Sequence, residues 1–151
     1  MIENRPKTRN TEAADAVVRG VSRLLHDSGE SCLSEFTLKS GRRVDVIAID
    51  RKGSFSVIEI KTSVADFRAD NKWQDYLEFC DRFYFAVPLD FPIEILPGNC
   101  GLIVADGYGS EIVRESPMGG MNASRRKALT LRFARAAATR LLRLNDPACS
   151  L

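Results

Sequence analysis

Two runs rich in β-branched and apolar residues, Arg43 to Asp50 and Phe55 to Lys61, flank Arg51-Lys52-Gly53. Their length, composition and separation predict a β-hairpin. A three-residue loop ends on a residue in the left-handed conformation, which Gly53 adopts without steric cost. Asp50 then pairs with Ser54, and all facing positions sum to 104. Few features constrain a chain more, because a slip of one residue turns every side chain to the other face of the sheet.

In this register Asp45 faces Glu59 and Arg43 faces Lys61. Glu59 and Lys61, two residues apart, share a face. Like charges placed opposite each other are unfavourable, so the carboxylates call for a neutralising group. A hard divalent cation suits them: Mg2+, or Mn2+ in its place, is held by one or two carboxylates together with waters and phosphate oxygens. With the Lys61 ammonium beside it, these are the parts of metal-assisted phosphodiester hydrolysis. The cation polarises the phosphoryl group and acidifies a water, while Lys61 orients that water or steadies the developing charge. The spacing alone equally admits two solvated strand ends with no chemistry.

The 151 residues predict one domain, 1–151, with residues 1–10 flexible. Ala14, Val17, Val18, Val21, Leu24 and Leu25 recur at helical spacing from Thr11 to Asp27, with Asn10 or Thr11 as cap. Ser31 to Leu38 reads as a strand before the hairpin. Ser63 with Asp66 marks a capping box, and a second helix from Asp70 turns Trp73, Leu77 and Cys80 inward. Arg82 to Val87, Gly101 to Ala105 and Glu111 to Arg114 read as strands. After a Pro/Gly linker, Ser124 caps a C-terminal helix over 123–144. This order predicts an α/β (α+β) domain around a central mixed sheet flanked by helices.

Composition removes other chemistries. The single histidine, His26, excludes His-dependent triads and multi-histidine metal sites. The four cysteines form no CxxC pair and read as free thiols, mostly core fillers. No apolar run approaches a membrane span, and MIENRPKTRN precedes no apolar stretch, so a cytoplasmic protein without membrane contact is expected.

Charge is unevenly distributed. No acid lies between Glu115 and Asp146, whereas Arg125, Arg126, Lys127, Arg132, Arg135, Arg140 and Arg143 do. The remaining 15 bases and 20 acids leave the rest of the chain about −5. On a helical wheel Leu131, Ala134, Ala138, Leu141 and Leu142 form an apolar stripe. Arg125, Arg126, Arg132, Arg140 and Arg143 cluster on another side, either as a footprint for DNA or as an answer to the acidic remainder. Lys72 and Arg68 meet phosphate or form a solvated face, and Trp73, Tyr76, Phe79, Phe83 and Phe85 read mainly as core.

The order of helix, strand, Asp-bearing strand, ExK-bearing strand and helix resembles the PD-(D/E)xK nuclease superfamily. The chain is more closely similar to the MmcB-type DNA repair proteins. The resemblance rests on Arg43-Val44-Asp45-Val46, Ile58-Glu59-Ile60-Lys61-Thr62-Ser63, the run from Asp66 to Trp73, the run from Cys80 to Pro88, the run from Gly101 to Gly109, and the run from Arg125 to Arg135. It spans nearly the whole chain. Val44 stands where the superfamily's name has Pro. The resemblance implies a restriction-endonuclease-like core in which Asp45 and Glu59 bind metal and Lys61 is catalytic. It also implies a Glu in the first helix, for which Glu12 is the candidate, and a Gln after ExK, met by Gln74. The expected function is metal-dependent endonucleolytic cleavage of DNA in repair, with DNA and other repair proteins as partners and a homodimer as one way to cut both strands. A catalytically silent DNA-binding or scaffold module with the same fold is the alternative, and a nuclease acting on RNA is a third reading.

Overall fold

The structure, a computed structural model, describes residues 9–70 and 72–149. Helix α1 (Arg9–Asp27) leads into β1 (Ser31–Thr37), β2 (Arg43–Ile49) and β3 (Phe55–Ile60). Helix α2 (Val64–Ala69) and a 3-10 segment (Trp73–Phe79) connect to β4 (Arg82–Val87). After a short 3-10 turn (Ile93–Ile95) come β5 (Gly101–Ala105), β6 (Ser110–Arg114) and the C-terminal helix α3 (Ala123–Asn145). The strands form one six-stranded mixed sheet in sequence order. β1, β2 and β3 are antiparallel, β3, β4 and β5 parallel, and β6 closes antiparallel.

The hairpin register is the expected one. Val46 faces Ile58, Ile47 faces Val57 and Ile49 faces Phe55, while the Asp50 amide donates to the Ser54 carbonyl at 3.0 Å. Gly53 sits at φ 86°, the left-handed conformation the loop demands.

Two cores cover the two sheet faces. On one, Val17, Val21 and Leu25 of α1 pack on Val46, Ile58, Tyr84 and Ile103, as the helical periodicity predicted. The α1 contact is tight at Gly20, where a Cβ would lie 2.3 Å from the Asp106 carbonyl oxygen and 2.5 Å from that of Gly109. Ser110 Oγ donates to the Gly20 carbonyl at 3.0 Å, and Arg23 donates to the Tyr108 carbonyl at 2.9 Å. The middle and C-terminal half of α1 are thereby pinned to the β5–β6 turn.

The other core is aromatic. Trp73 and Tyr76 pack on Phe83, and Phe133 of α3 meets Phe36 and Phe55 at ring separations of 6.1 and 5.9 Å. Asp81, 4% exposed, ties this side together. Its carboxylate accepts two hydrogen bonds from Arg126 of α3, both 2.6 Å, and one from the Phe55 amide at 2.8 Å. Arg126 holds its carboxyl below the usual range, assisted by the Phe55 and Met121 amides.

Several expectations need correcting. Trp73, Tyr76 and Cys80 point inward, but Leu77 is exposed, because the segment is 3-10 rather than α and its inward positions recur every third residue. Asn122, not Ser124, caps α3, accepting from the Arg125 amide at 2.8 Å. The buried face of α3 is Leu129 and Phe133, so Leu131, Leu141 and Leu142 lie on the surface. Asn10 and Thr11 lie inside α1 rather than at its start; flexibility over residues 1–8 lies outside the described residues. Of the cysteines, all free, Cys80 and Cys100 are buried, Cys32 is partly so and Cys149 is exposed. No helix among the described residues is long and apolar enough to cross a membrane.

Candidate active site

The β2–β3 ladder ends at Val46 and Ile58, and the next facing positions are Asp45 and Glu59. Beyond that point side chains replace the backbone ladder. Glu59 Oε1 accepts from the Asp45 amide at 3.1 Å, and Asp45 Oδ2 accepts from the Ile60 amide at 2.8 Å. Each carboxyl group thus satisfies a backbone donor of the other strand or its neighbour, which keeps both side chains at the mouth of the hairpin.

Burial raises both carboxyl groups above their ordinary values. Glu59, 5% exposed, is pushed up to about 8, first by desolvation and then by the charge of Asp45. Desolvation likewise raises Asp45, against the Ile60 amide and the Lys61 charge, which pull it back.

Lys61 does not neutralise them by contact. Its ammonium, buried with the side chain 7% exposed, pairs with Asp70 Oδ2 at 2.9 Å. Lys61 accordingly lowers the carboxyl of Asp70, helped by the Lys72 amide that donates to it. Asp70 is the C-cap residue of α2, so the helix end positions the lysine's partner.

The cleft around these groups has a volume of about 890 Å³. Thr11, Asp15 and Val18 of α1 form one wall, Thr62, Ser63 and Asp66 another, and Glu35 of β1 a third. Ser63 Oγ accepts from the Asp66 amide at 3.1 Å, the first half of the expected capping box, while Asp66 Oδ2 accepts from the Thr62 amide at 3.1 Å, one residue before the cap. Glu35 sits in β1 between the Ser34–Val46 and Phe36–Val44 pairs with φ 48°, a strained conformation for a non-glycine residue.

The family profile described as "DNA repair protein MmcB-like" matches residues 3–148. The chain belongs to this MmcB-like DNA repair family. A solved structure described as SPO1766, a protein of unknown function from Silicibacter pomeroyi, is 46% identical, with a TM-score of 0.89. The match covers 92% of this chain and 95% of that one. No functionally curated protein matches the chain.

In this MmcB-like chain the structure brings Asp45, Glu59 and Lys61 to one cleft. Glu12 is exposed and absent from the cleft wall, where Asp15 stands instead. On a helical wheel Asp15 lies about 40° from Thr11 and about 60° from Val18, whereas Glu12 lies about 100° and about 120° from them. Asp70 and Asp66 were legible only as helix caps. Lys72, which precedes the 3-10 segment, and Gln74 within it are exposed and border no wall of the cleft. Arg125 pairs with Glu78 at 3.2 Å and lies over the Phe79 ring, and Arg126 is bound to Asp81. Arg132 and Arg143 line a separate groove beside α3.

Proposed function

We propose that this MmcB-like protein is a metal-dependent DNA endonuclease acting in repair, with Asp45 and Glu59 as metal ligands and Lys61 as the catalytic cation. The observation that carries the reading is a buried and a half-buried carboxyl group, Glu59 and Asp45, at one hairpin mouth, neither in an ion pair with a described cationic side chain. Such groups disfavour ionisation unless a positive charge joins them. The donor set fits Mg2+ or Mn2+: it is all oxygen, it comprises two carboxylates, and no third His, Cys, Asp or Glu among the described residues completes an all-protein cage. That leaves room for waters and phosphate oxygens, as Mg2+ prefers.

When bound, the ion supplies Lewis-acid polarisation of the phosphoryl group and a more acidic water. The chain's own residues do the rest. Asp45 and Glu59, both raised by burial, bind the ion in their ionised form, so ligation favours the loss of their protons. The Asp45 and Ile60 amides orient the two carboxylates. Asp70 holds the Lys61 ammonium beside the pair, where its charge favours both carboxylates in their ionised form.

One observation favours the alternative of a silent binding module: the Lys61 ammonium is committed to Asp70. The two readings separate in a cleavage assay with single-stranded, duplex, flapped and branched DNA in Mg2+ or Mn2+. Cleavage by the wild type, lost in Asp45→Asn, supports the enzyme. Metal-independent binding with no cleavage of any substrate supports the module.

A further inference from the structure

α3 runs beside the free edge of β1, and its arginines reach the unpaired carbonyls there. Arg132 Nε donates to the Thr37 carbonyl at 2.8 Å. Arg140 donates to the Ser34 carbonyl at 2.6 Å and to the Glu35 carbonyl at 2.9 Å. These bonds blunt an edge strand that would otherwise invite another chain. The acceptors are neutral, so the guanidinium charges stay uncompensated. Arg135 and Arg143 are exposed and make no hydrogen bond or ion pair with any described residue. The four arginines line a groove of about 620 Å³ in which Glu35 is the one acid among the lining residues.

The groove adjoins the candidate active site at one residue. Glu35 borders both, and Ser34, whose carbonyl Arg140 holds, borders the cleft. From Arg132 to Arg143 the guanidiniums extend about 16 Å along the helix axis, at 1.5 Å per residue. On a helical wheel Arg132, Arg135, Arg140 and Arg143 fall within about 140°, a single file of charge that suits the one phosphate backbone of a single strand.

We propose that this groove binds single-stranded DNA, with Arg132, Arg135, Arg140 and Arg143 on successive phosphates of the strand that enters the cleft. The assignment rests on the nuclease reading of that cleft and names its substrate as a strand with a single-stranded segment beside the cut. Contacts of this kind position the strand without reading sequence. Arg126 takes no part, because Asp81 holds it.

The test uses the full chain and a fluorescent single-stranded oligonucleotide in EDTA, with anisotropy read across a salt series. R135Q/R143Q leaves every described hydrogen bond in place, and a melting curve verifies its fold. The log–log salt slope should fall by about 1.4, from about 0.7 for each of two lost single-strand contacts. R135K/R143K should keep the wild-type slope. K127Q, which removes a charge from another face of α3, should change the slope less than R135Q does. An unchanged slope in R135Q/R143Q, an equal loss in K127Q, or tighter duplex binding with the same arginine dependence overturns the proposal. Cleavage by wild type with unaltered binding by R135Q/R143Q overturns the groove alone. Groove-dependent binding without cleavage overturns the nuclease reading and leaves the groove.

Discussion

Asp81 and Glu59 are buried almost equally, 4% and 5% exposed, yet their carboxyl groups move in opposite directions. Asp81 has a guanidinium on both oxygens and a backbone amide besides, and is held ionised. Glu59 has an amide and a second carboxyl group, and is held protonated up to about pH 8. Burial alone therefore says little about a charged side chain; the partner decides. Asp81 is matched within the chain and closes α3 onto the sheet. Asp45 and Glu59 are unmatched within the chain, which is the property expected of a site that awaits a cation from solution.

The comparison breaks most visibly at the matched pair. Arg126→Ala strands the Asp81 carboxylate in the core and should cost about 3–5 kcal/mol, read as a lower urea midpoint at unchanged m-value. A loss below about 1 kcal/mol would mean that Asp81 is solvated and that α3 docks through Phe133 alone.

At the unmatched pair, chemistry should fail before stability does. Lys61→Ala should lower cleavage by about 10²–10³ while Mg2+ binding, measured by calorimetry, persists. Asp45→Asn should abolish both and leave the fold intact or steadier, because it removes repulsion with Glu59. Retained cleavage in both variants would move the chemistry elsewhere.

The two sites should also impose opposite pH limbs. Asp81 titrates lower in the folded protein, so its contribution is present above its unfolded value near 3.8 and is lost as pH falls through the folded one. Glu59 titrates higher, so its contribution is present below 4.5 and is lost as pH rises toward about 8. Melting temperature in EDTA should decline from pH 5 to pH 8 in the wild type and stay flatter in Glu59→Gln. Mg2+ at 100 times its Kd should restore about 2.7 kcal/mol at pH 8 and less at pH 5, where protons compete.

The smallest expected effect concerns strain beside the cleft. Glu35→Gly relieves the left-handed backbone and should stabilise by about 1 kcal/mol or less, after the entropic cost of glycine. A destabilisation would show that the Glu35 side chain outweighs its backbone.

The hairpin was legible because its determinants are local: a loop length, Gly53 at its end, and alternation on both sides. The α1 face was legible for the same reason. The α3 face was not, since two apolar stripes coexist on that helix and only Phe36 and Phe55, distant in sequence, select Leu129 and Phe133. Asp81 was equally hidden, because its partner lies 45 residues away. Within the cleft, Asp45, Glu59 and Lys61 were readable from spacing, but the pairing of Lys61 with Asp70 depends on where α2 ends. The 3-10 segment defeated a reading made at 3.6 residues per turn.

The close approach at Gly20 turns α1 into a lever. Its fulcrum is the backbone of the β5–β6 turn, and Asp15 lies about 7 Å up the arm, at the cleft wall. A side chain at position 20 would wedge the fulcrum open, and a tilt of about 10° would carry Asp15 by about 1 Å. Displacements of about that size at a reacting centre can cost about 10²-fold in rate. A methyl group on the far side of the helix would then read, in an assay, as an active-site lesion.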